Sequence, residues 1–292
     1  MNPIRYFCRD HHIPDPTWGS PYLFDDDGLG TDAALSRVQS TFLDDEARLL
    51  ATVLLADPAG MPGELLGVVI CLYMGARNNE AAGVSFREFK QMLDYPGEYT
   101  LTIGALTTII GKNALKVSGK TYNAPRIVPV LDKVAAIILM RIEYLNSVLT
   151  FPLETENGVF QSVWDLPIAC KGNDYTKRCS AVDIGDAATN LFRNVLHFDE
   201  NRIAGITKLM FRDPERFVEE RSATCYTCRR DYASELSEAF YGLPDQMTYI
   251  QYLMGHKIED LRFKRNDLTD EYYLHDMKRL LEASHRVNQF GL

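Results

Sequence analysis

The longest apolar stretch of this chain, residues 65–76, ends directly before Arg77. A helix that is apolar on all sides has to be covered by other elements on all sides. The stretch is too short to span a bilayer, so we expect a fully buried helix over residues 62–75 at the centre of a folded domain. Such a helix delivers Arg77 from the core, where a charged side chain needs a partner or a ligand.

Helical and extended patterns alternate around this central helix. Apolar side chains recur at helical spacing in residues 44–57 and 134–149, and polar residues 151–182, with their prolines and glycines, predict an irregular insertion. Short β-type runs cover residues 99–103, 107–110, 114–117 and 126–129. Helical spacing resumes in residues 183–196, 229–240, 246–254 and 270–286. This order predicts an α+β fold, a mostly helical domain with a small antiparallel β-sheet.

Composition divides the chain into two parts. Residues 1–34 are rich in proline, glycine and aspartate, which predicts an N-terminal arm or linker, and residues 35–292 form the predicted folded domain. No basic and apolar leader starts the sequence, so we expect a cytoplasmic protein with no membrane partner.

The formal net charge of −9 argues against a general nucleic-acid binder, because contacts with phosphates need cations. The charge is unevenly distributed, however. Acidic residues crowd residues 25–27 and 44–46, whereas basic residues gather in residues 112–126, 229–230 and 257–265. We therefore expect a local basic face on an acidic body, which can hold DNA. Ordinary solvated surface charges are the alternative.

The six cysteines, in a chain without a secretory leader, suggest reduced thiols. Cys225 and Cys228 have the spacing of a zinc site, which Cys170 and Cys179 would complete. Cys225 and Cys228 also fall at a predicted helix start, where small apolar residues pack. Buried free cysteines are therefore favoured over a zinc site, and we predict neither a metal nor a cofactor.

Three motifs carry the chemistry of phosphoryl transfer. Residues 75–80 place Arg77 after the buried helix, and Gly119-Lys120 lies at a predicted hairpin turn before residues 125–130. The third motif supplies the remaining candidates: Tyr226, Arg229, His256, Tyr272 and Tyr273. Arginine has a permanently charged planar fork that matches phosphate oxygens. Lysine and histidine can move protons, and tyrosine can act as a covalent nucleophile.

In their order, these motifs resemble those of the tyrosine recombinases, also called the phage integrase family, over roughly residues 35–292. Two departures stand out. Tyr226 occupies the position of a family histidine, and the interval from His256 to Tyr273 is longer than the family usually has. The resemblance implies the α+β catalytic domain of that family, without the N-terminal core-binding domain that precedes it there. The chain would then be a fragment of a longer protein.

The resemblance also implies roles for the motif residues. Arg77 and Arg229 would bind the scissile phosphate, and Glu80 would steady the structure around Arg77. Lys120 would donate a proton to the leaving 5′ oxygen, with Lys116 as the rival. Phosphate would accept hydrogen bonds from Tyr226 and His256.

The nucleophile is expected to be Tyr273, because Tyr273-Leu274-His275 matches a common ending of the family, and Tyr272 is the alternative. The implied function is a site-specific DNA recombinase or integrase of a mobile element. It would cleave and rejoin double-stranded DNA through a 3′-phosphotyrosine intermediate, with other protomers in a tetrameric synapse. The alternative is a catalytically degenerate DNA-binding protein on the same fold.

Overall fold

A computed structural model describes residues 42, 44–108, 115–117, 125–196, 223–243, 246–255 and 270–287. Within these residues the chain is mainly helical. The α-helices are α1 (Asp44–Leu54), α2 (Gly63–Met74), α3 (Asn78–Ala81), α4 (Asp132–Val148), α5 (Ala181–Leu196), α6 (Cys225–Ala239), α7 (Gln246–Leu253) and α8 (Asp270–Arg286). None of the described helices is long and apolar enough to cross a membrane. The predicted arm over residues 1–34 lies outside the described residues and stays a prediction.

The strands are short and all antiparallel. They are β1 (Phe89–Gln91), β2 (Tyr99–Ile103), β3 (Leu106–Thr108), β4 (Leu115–Val117), β5 (Arg126–Val130), β6 (Leu153–Thr155), β7 (Gly158–Phe160), β8 (Cys170–Lys171) and β9 (Asp174–Arg178). Strands β1, β2 and β5 form a three-stranded sheet with β2 at its centre, and the others form the hairpins β3–β4, β6–β7 and β8–β9. In the β2–β5 ladder Ile103 pairs with Arg126, which places Arg126 at one end of the sheet. The predicted α+β class, mostly helical with small antiparallel sheets, is confirmed.

Helix α2 is the centre of the described core. Ten of its twelve residues are buried, and it packs against both α5 and α6. A Cβ on Gly67 would lie 2.6 Å from a side-chain carbon of Ile184 in α5, so the glycine permits the close approach of the two helices. Burying each large side chain of α2, such as Leu66 or Ile70, contributes about 1.5–3 kcal/mol. The predicted buried helix is confirmed.

The prediction of an irregular insertion over residues 151–182 is wrong. This segment forms the hairpins β6–β7 and β8–β9, with a 3₁₀ turn at Val163–Asp165 between them. The glycines that suggested irregularity lie at the hairpin turns with positive φ, 128° at Gly158 and 59° at Gly172. Turn residues close to short strands predict hairpins, and the strands are too short and too polar to show a clear alternation.

The C-terminal helix α8 packs against β5 and α6. Its side chains Met277, Leu280 and Leu281 are buried, in agreement with the predicted apolar face. Two polar contacts fasten the helix further. Arg279 Nη1 donates to the hydroxyl of Tyr249 over 3.3 Å, and His285 Nε2 lies 3.0 Å from a carboxylate oxygen of Glu98.

Candidate active site

The turn after α2 carries Arg77 from the core to the surface. Helix α2 ends at Gly75, whose φ of +60° is left-handed and whose Cβ, if present, would lie 2.3 Å from a ring carbon of Tyr232. Only glycine meets both conditions. Arg77 follows in an extended conformation and precedes α3. Its side chain is 34% exposed, so part of the guanidinium is open to a ligand.

Glu80 holds Arg77 from the first turn of α3. Its Oε1 accepts a hydrogen bond from Arg77 Nη1 at 2.7 Å, and its Oε2 accepts one from the backbone N–H of Arg77 at 3.0 Å. The second bond is the carboxylate half of a capping box. Since Glu80 is 2% exposed, the carboxylate needs these partners to be buried.

Arg126 shares the same carboxylate. Its Nη2 lies 3.1 Å from Glu80 Oε2, and its Nε donates to the carbonyl of Leu253 over 2.6 Å. Burial by itself raises the pKa of Glu80. The charges of Arg126 and Arg77 and the hydrogen bonds from both lower it by more than burial raises it, so the net pKa lies below the ordinary glutamate value. Glu80 is therefore ionised at neutral pH.

Arg229 joins the group from α6. Its Nη1 donates to the carbonyl of Gly75 and its Nη2 to the carbonyl of Met254. These oxygens end α2 and α7, where carbonyls lack helical partners and a cation is favourable. Burial, followed by the charges of Arg77 and Arg126, lowers the pKa of Arg229 to about 10, so it stays charged at neutral pH.

The four side chains form one arginine cluster, defined here as Arg77, Arg126, Arg229 and Glu80. Among the described residues, two guanidinium groups, those of Arg77 and Arg126, contact the one carboxylate, and their charges act on the nearby Arg229, so the cluster has a surplus of positive charge. Arg77 and Arg229, the two predicted phosphate ligands, are brought together although 152 positions separate them in the sequence. An arrangement of this kind can bind an anion at the exposed part of Arg77.

Tyr226 lies in the first turn of α6 but, unlike Arg229 one turn later, it is 57% exposed. Its backbone N–H donates to the Thr224 hydroxyl, which caps the helix. The guanidinium of Arg230 lies 5.0 Å from the centre of its ring. Of the two residues of the predicted motif, Tyr226 is therefore exposed and Arg229 is buried. A phosphate contact from Tyr226 stays a prediction.

The two proton-moving candidates, Lys120 and His256, lie outside the described residues. Their neighbours are described. Lys116 is exposed and pairs with Thr107 in the β3–β4 hairpin. A Cβ on Gly83, just after α3, would lie 2.1 Å from the carbonyl oxygen of Leu106 in β3, so the base of this hairpin packs closely against the chain that follows Glu80.

The candidate nucleophiles belong to α8. Tyr272 and Tyr273 lie in the first turn of this helix, while their side chains lie outside the described residues. The choice of Tyr273 over Tyr272 therefore stays a prediction.

The four cysteines that suggested a zinc site are buried free thiols, as favoured from the sequence: Cys170, Cys179, Cys225 and Cys228. Cys225 Sγ lies 3.6 Å from the carbonyl oxygen of Ile184, and burial raises the pKa of Cys228. In the described part of the chain, no group of three or more metal-ligating side chains could hold an ion.

Arg126 was missed as a site residue by the sequence reasoning, which counted it only among the basic residues of 112–126. A weak signal was present, since Arg126 begins a strand whose following residues are apolar. A charged side chain in that position is either exposed or paired, and the sequence does not say which.

Comparisons with known proteins give structural likeness only. No protein-family model matches the chain, and no curated protein matches it significantly. A solved structure of the Tn1549 transposon integrase in complex with transposon right end DNA is 17% identical, with a TM-score of 0.42, over 79% of this chain and 64% of that one. The XerH site-specific recombinase bound to its difH substrate is 15% identical, with a TM-score of 0.45, over 87% of this chain and 55% of that one.

A third solved structure, the integrase from mycobacterium phage Brujita, is 12% identical with a TM-score of 0.45, over 97% of this chain and 72% of that one. This chain spans 64% and 55% of the lengths of the first two proteins. All three solved structures are of integrases or recombinases. At these identities and TM-scores, the roles of the site residues rest on their own geometry.

Proposed function

We propose that this chain cleaves and rejoins double-stranded DNA as a site-specific recombinase or integrase of the tyrosine type. The observation that carries the proposal is the arginine cluster, in which Glu80 pairs with two guanidinium groups, Arg229 adds a third positive charge nearby, and Arg77 remains partly exposed. A phosphodiester brings one negative charge to such a site. The exposed part of Arg77 would contact its non-bridging oxygens, and the buried charge of Arg229 would help to balance the additional charge that develops in the transition state.

The reaction we propose is a transesterification. The phenol oxygen of Tyr273 attacks the phosphorus, the bond from phosphorus to the 5′ oxygen breaks, and a 3′-phosphotyrosine forms. The phenol gives its proton to solvent water as the new bond forms, and Lys120 supplies a proton to the leaving 5′ oxygen. A 5′-hydroxyl from a partner strand then reverses the step. Because the intermediate keeps the energy of the broken bond, rejoining needs no nucleotide.

The remaining residues and partners are proposed on the same basis. His256 and Tyr226 would donate hydrogen bonds to the phosphate, since a phenol is a poor base near neutral pH. Rejoining to a partner strand requires further protomers on the DNA, and we propose a tetrameric synapse.

A nicked suicide substrate tests the proposal. In a library of nicked duplexes of randomised sequence, cleavage near the nick releases a short 5′-hydroxyl strand that diffuses away, and the covalent intermediate accumulates. The expected result is a protein–DNA band that survives a denaturing gel and disappears on proteolysis. Tyr273→Phe should abolish the band and Tyr272→Phe should keep it. The opposite result would move the nucleophile to Tyr272.

The arginines provide a matched comparison in the same assay. Arg77→Lys should reduce adduct formation about 100-fold or more, because lysine cannot replace a bidentate fork. Arg87→Lys is the control, since Arg87 is exposed and pairs with Asp165 at the surface. Equal losses for the two variants would speak against a phosphate site at Arg77.

A second candidate function is DNA binding without cleavage. The observation that favours it is the use of both Nη groups of Arg229 by backbone carbonyls, which is a structural role in its own right. This candidate predicts that the wild-type chain binds duplex DNA and gives no adduct with any member of the nicked library.

A further inference from the structure

Arg126 connects two parts of the candidate site that are distant in sequence. Through Nη2 it contacts Glu80, which holds Arg77, and through Nε it contacts the carbonyl of Leu253 at the end of α7. The side chain of Arg126 has no exposed surface, so it cannot itself bind a DNA phosphate. Its effect on a ligand has to pass through the groups that it touches.

The first of these groups is the carboxylate of Glu80. If Glu80 paired with Arg77 alone, the two charges would cancel, and both carboxylate oxygens could turn to one guanidinium. With Arg126 on Oε2, the same carboxylate is shared between two guanidinium groups. Two guanidinium groups and one carboxylate together keep a net positive charge, and Arg77 is the member of this group that is exposed to solvent.

The second group is the turn at the end of α7. Gly255 has a φ of +61°, and a Cβ there would lie 2.7 Å from Nη1 of Arg126. The carbonyls of Leu253 and Met254 are occupied by Arg126 and Arg229, respectively. Two arginines thus fasten successive carbonyls of a helix end, which fixes the direction in which the chain leaves α7.

We propose that Arg126 is a positioning residue that keeps Arg77 electrostatically available for a phosphate by engaging Glu80, and that aligns the end of α7 with the same site. This inference deepens the proposed function and rests on it. It implies that Glu80 becomes a competitor of the phosphate for Arg77 when Arg126 loses its charge.

The proposal predicts that a second substitution restores DNA binding, an effect that a purely structural role of Arg126 would not produce. Arg126→Met should weaken binding of a DNA duplex about tenfold at low salt, a size typical of coupling between charges in contact. Adding Glu80→Gln should then restore binding by about fivefold, because the competing carboxylate has gone while an amide oxygen still accepts from Arg77. If Arg126 only supported the fold, the second substitution would weaken binding further.

The pH dependence gives a second readout. Arg126→Met removes a charge that lowers the pKa of Glu80, whereas the effect of burial, which raises this pKa, remains. The pKa of Glu80 therefore rises relative to wild type. Glu80 should therefore take up a proton at a higher pH in Arg126→Met than in wild type, and the binding deficit of the variant should shrink as the pH is lowered. Arg126→Met with Glu80→Gln should show no such recovery. The charged groups that face Glu80 are the guanidinium groups of Arg126 and Arg77.

The experiment compares wild type, Arg126→Met, Arg126→Lys, and the Met and Lys variants with Glu80→Gln. Fluorescence anisotropy measures the Kd for duplex DNA, and the rise of Tm with inorganic phosphate gives a readout that needs no DNA. Arg141→Met is the matched control, because Arg141 is an equally buried arginine that donates to a carbonyl, at Ala59. It should lower Tm without changing the Kd. If Arg126→Met fails to fold, Arg126→Gln with and without Glu80→Gln carries the comparison, while Arg126→Lys, which keeps the charge, should stay close to wild type.

The outcomes separate the two claims. Restored binding in the double variant supports the role of Arg126, and additive loss overturns it. A wild type that gives no adduct refutes the proposed cleavage but leaves the Arg126 comparison readable in the binding measurements. A wild type that binds no DNA but is stabilised by phosphate refutes DNA as the ligand, and the phosphate series then decides on Arg126. A wild type with neither response overturns both.

Discussion

At the scale of single residues, Gly75 joins the core to the candidate site. Its left-handed backbone and its close contact with Tyr232 both exclude a side chain. Gly75→Ala should lower the free energy of unfolding by about 2–5 kcal/mol, from left-handed strain of about 1–2 kcal/mol and overpacking of about 1–3 kcal/mol. Urea denaturation measures this loss. Gly97→Ala is the control, since Gly97 has a φ of +91° with no atom within 4 Å of its Cβ position. Its free energy of unfolding should fall only by the contribution of backbone strain.

Glu80 should give the folded chain a dependence on acid. Burial raises its pKa, but Arg126 and Arg77 lower it to a net value below that of a free glutamate. A group with a lowered folded pKa stabilises the fold above its unfolded pKa, about 4.3, and this stabilisation is lost as the pH falls through the folded value. At pH 7, Glu80→Gln should therefore be less stable than wild type by about 3–5 kcal/mol.

The acid dependence of this difference is the measurement that checks it. The stability difference between wild type and Glu80→Gln should shrink as the pH falls below about 4. Glu88→Gln is the comparison, because Glu88 accepts from the backbone of Ser85 away from the arginine cluster. A constant difference between wild type and Glu80→Gln across the whole pH range would contradict the interpretation.

At the scale of elements, α8 carries both candidate nucleophiles, and among its described side chains Met277, Leu280 and Leu281 are the buried apolar ones. Leu280 is buried, and Leu280→Ala should cost about 2–5 kcal/mol. If α8 can detach by itself, the loss should appear first as faster hydrogen exchange of α8 amides, with α2 less affected. Mass spectrometry measures the hydrogen-exchange rates of the amides in α2 and α8.

Glu282→Ala, at an exposed position of the same helix, is the control and should change neither exchange rate. Equal acceleration of exchange in α2 and α8 by Leu280→Ala would mean that α8 does not open separately.

At the scale of the whole molecule, a net charge of −9 has to be reconciled with a DNA ligand. Binding should depend on a local basic face, so the affinity for any duplex should fall more than about tenfold between roughly 50 and 200 mM salt. Arg265→Ala and Lys257→Ala should weaken binding equally for all sequences. Lys278→Ala is the control, since Lys278 is exposed on α8 and lies 3.8 Å from Glu282. Salt-independent binding would exclude phosphate contacts as its basis.

Much of the element order could be predicted because its signals are local. The strand over residues 99–103 and the helix over residues 270–286 agree with the structure to the residue, and the helix predicted over residues 134–149 is observed as Asp132–Val148. Each rests on a repeat of two or 3.6 residues that neighbouring side chains carry. The hairpins within residues 151–182 were missed because three of their strands have only two or three residues, and the five-residue strand β9 is polar and shows no alternation.

The candidate site was predictable only in part, for a physical reason. By itself, the sequence determined that a buried helix ends at Gly75, that Arg77 follows it, and that an arginine lies near the start of α6. The tertiary structure decided that Arg126 shares Glu80 with Arg77, a contact across 46 positions, and that Arg229 binds the carbonyl of Gly75 across 154. Periodicity shows which side of an element is buried, whereas the choice of partner for a buried charge depends on which elements the core brings together.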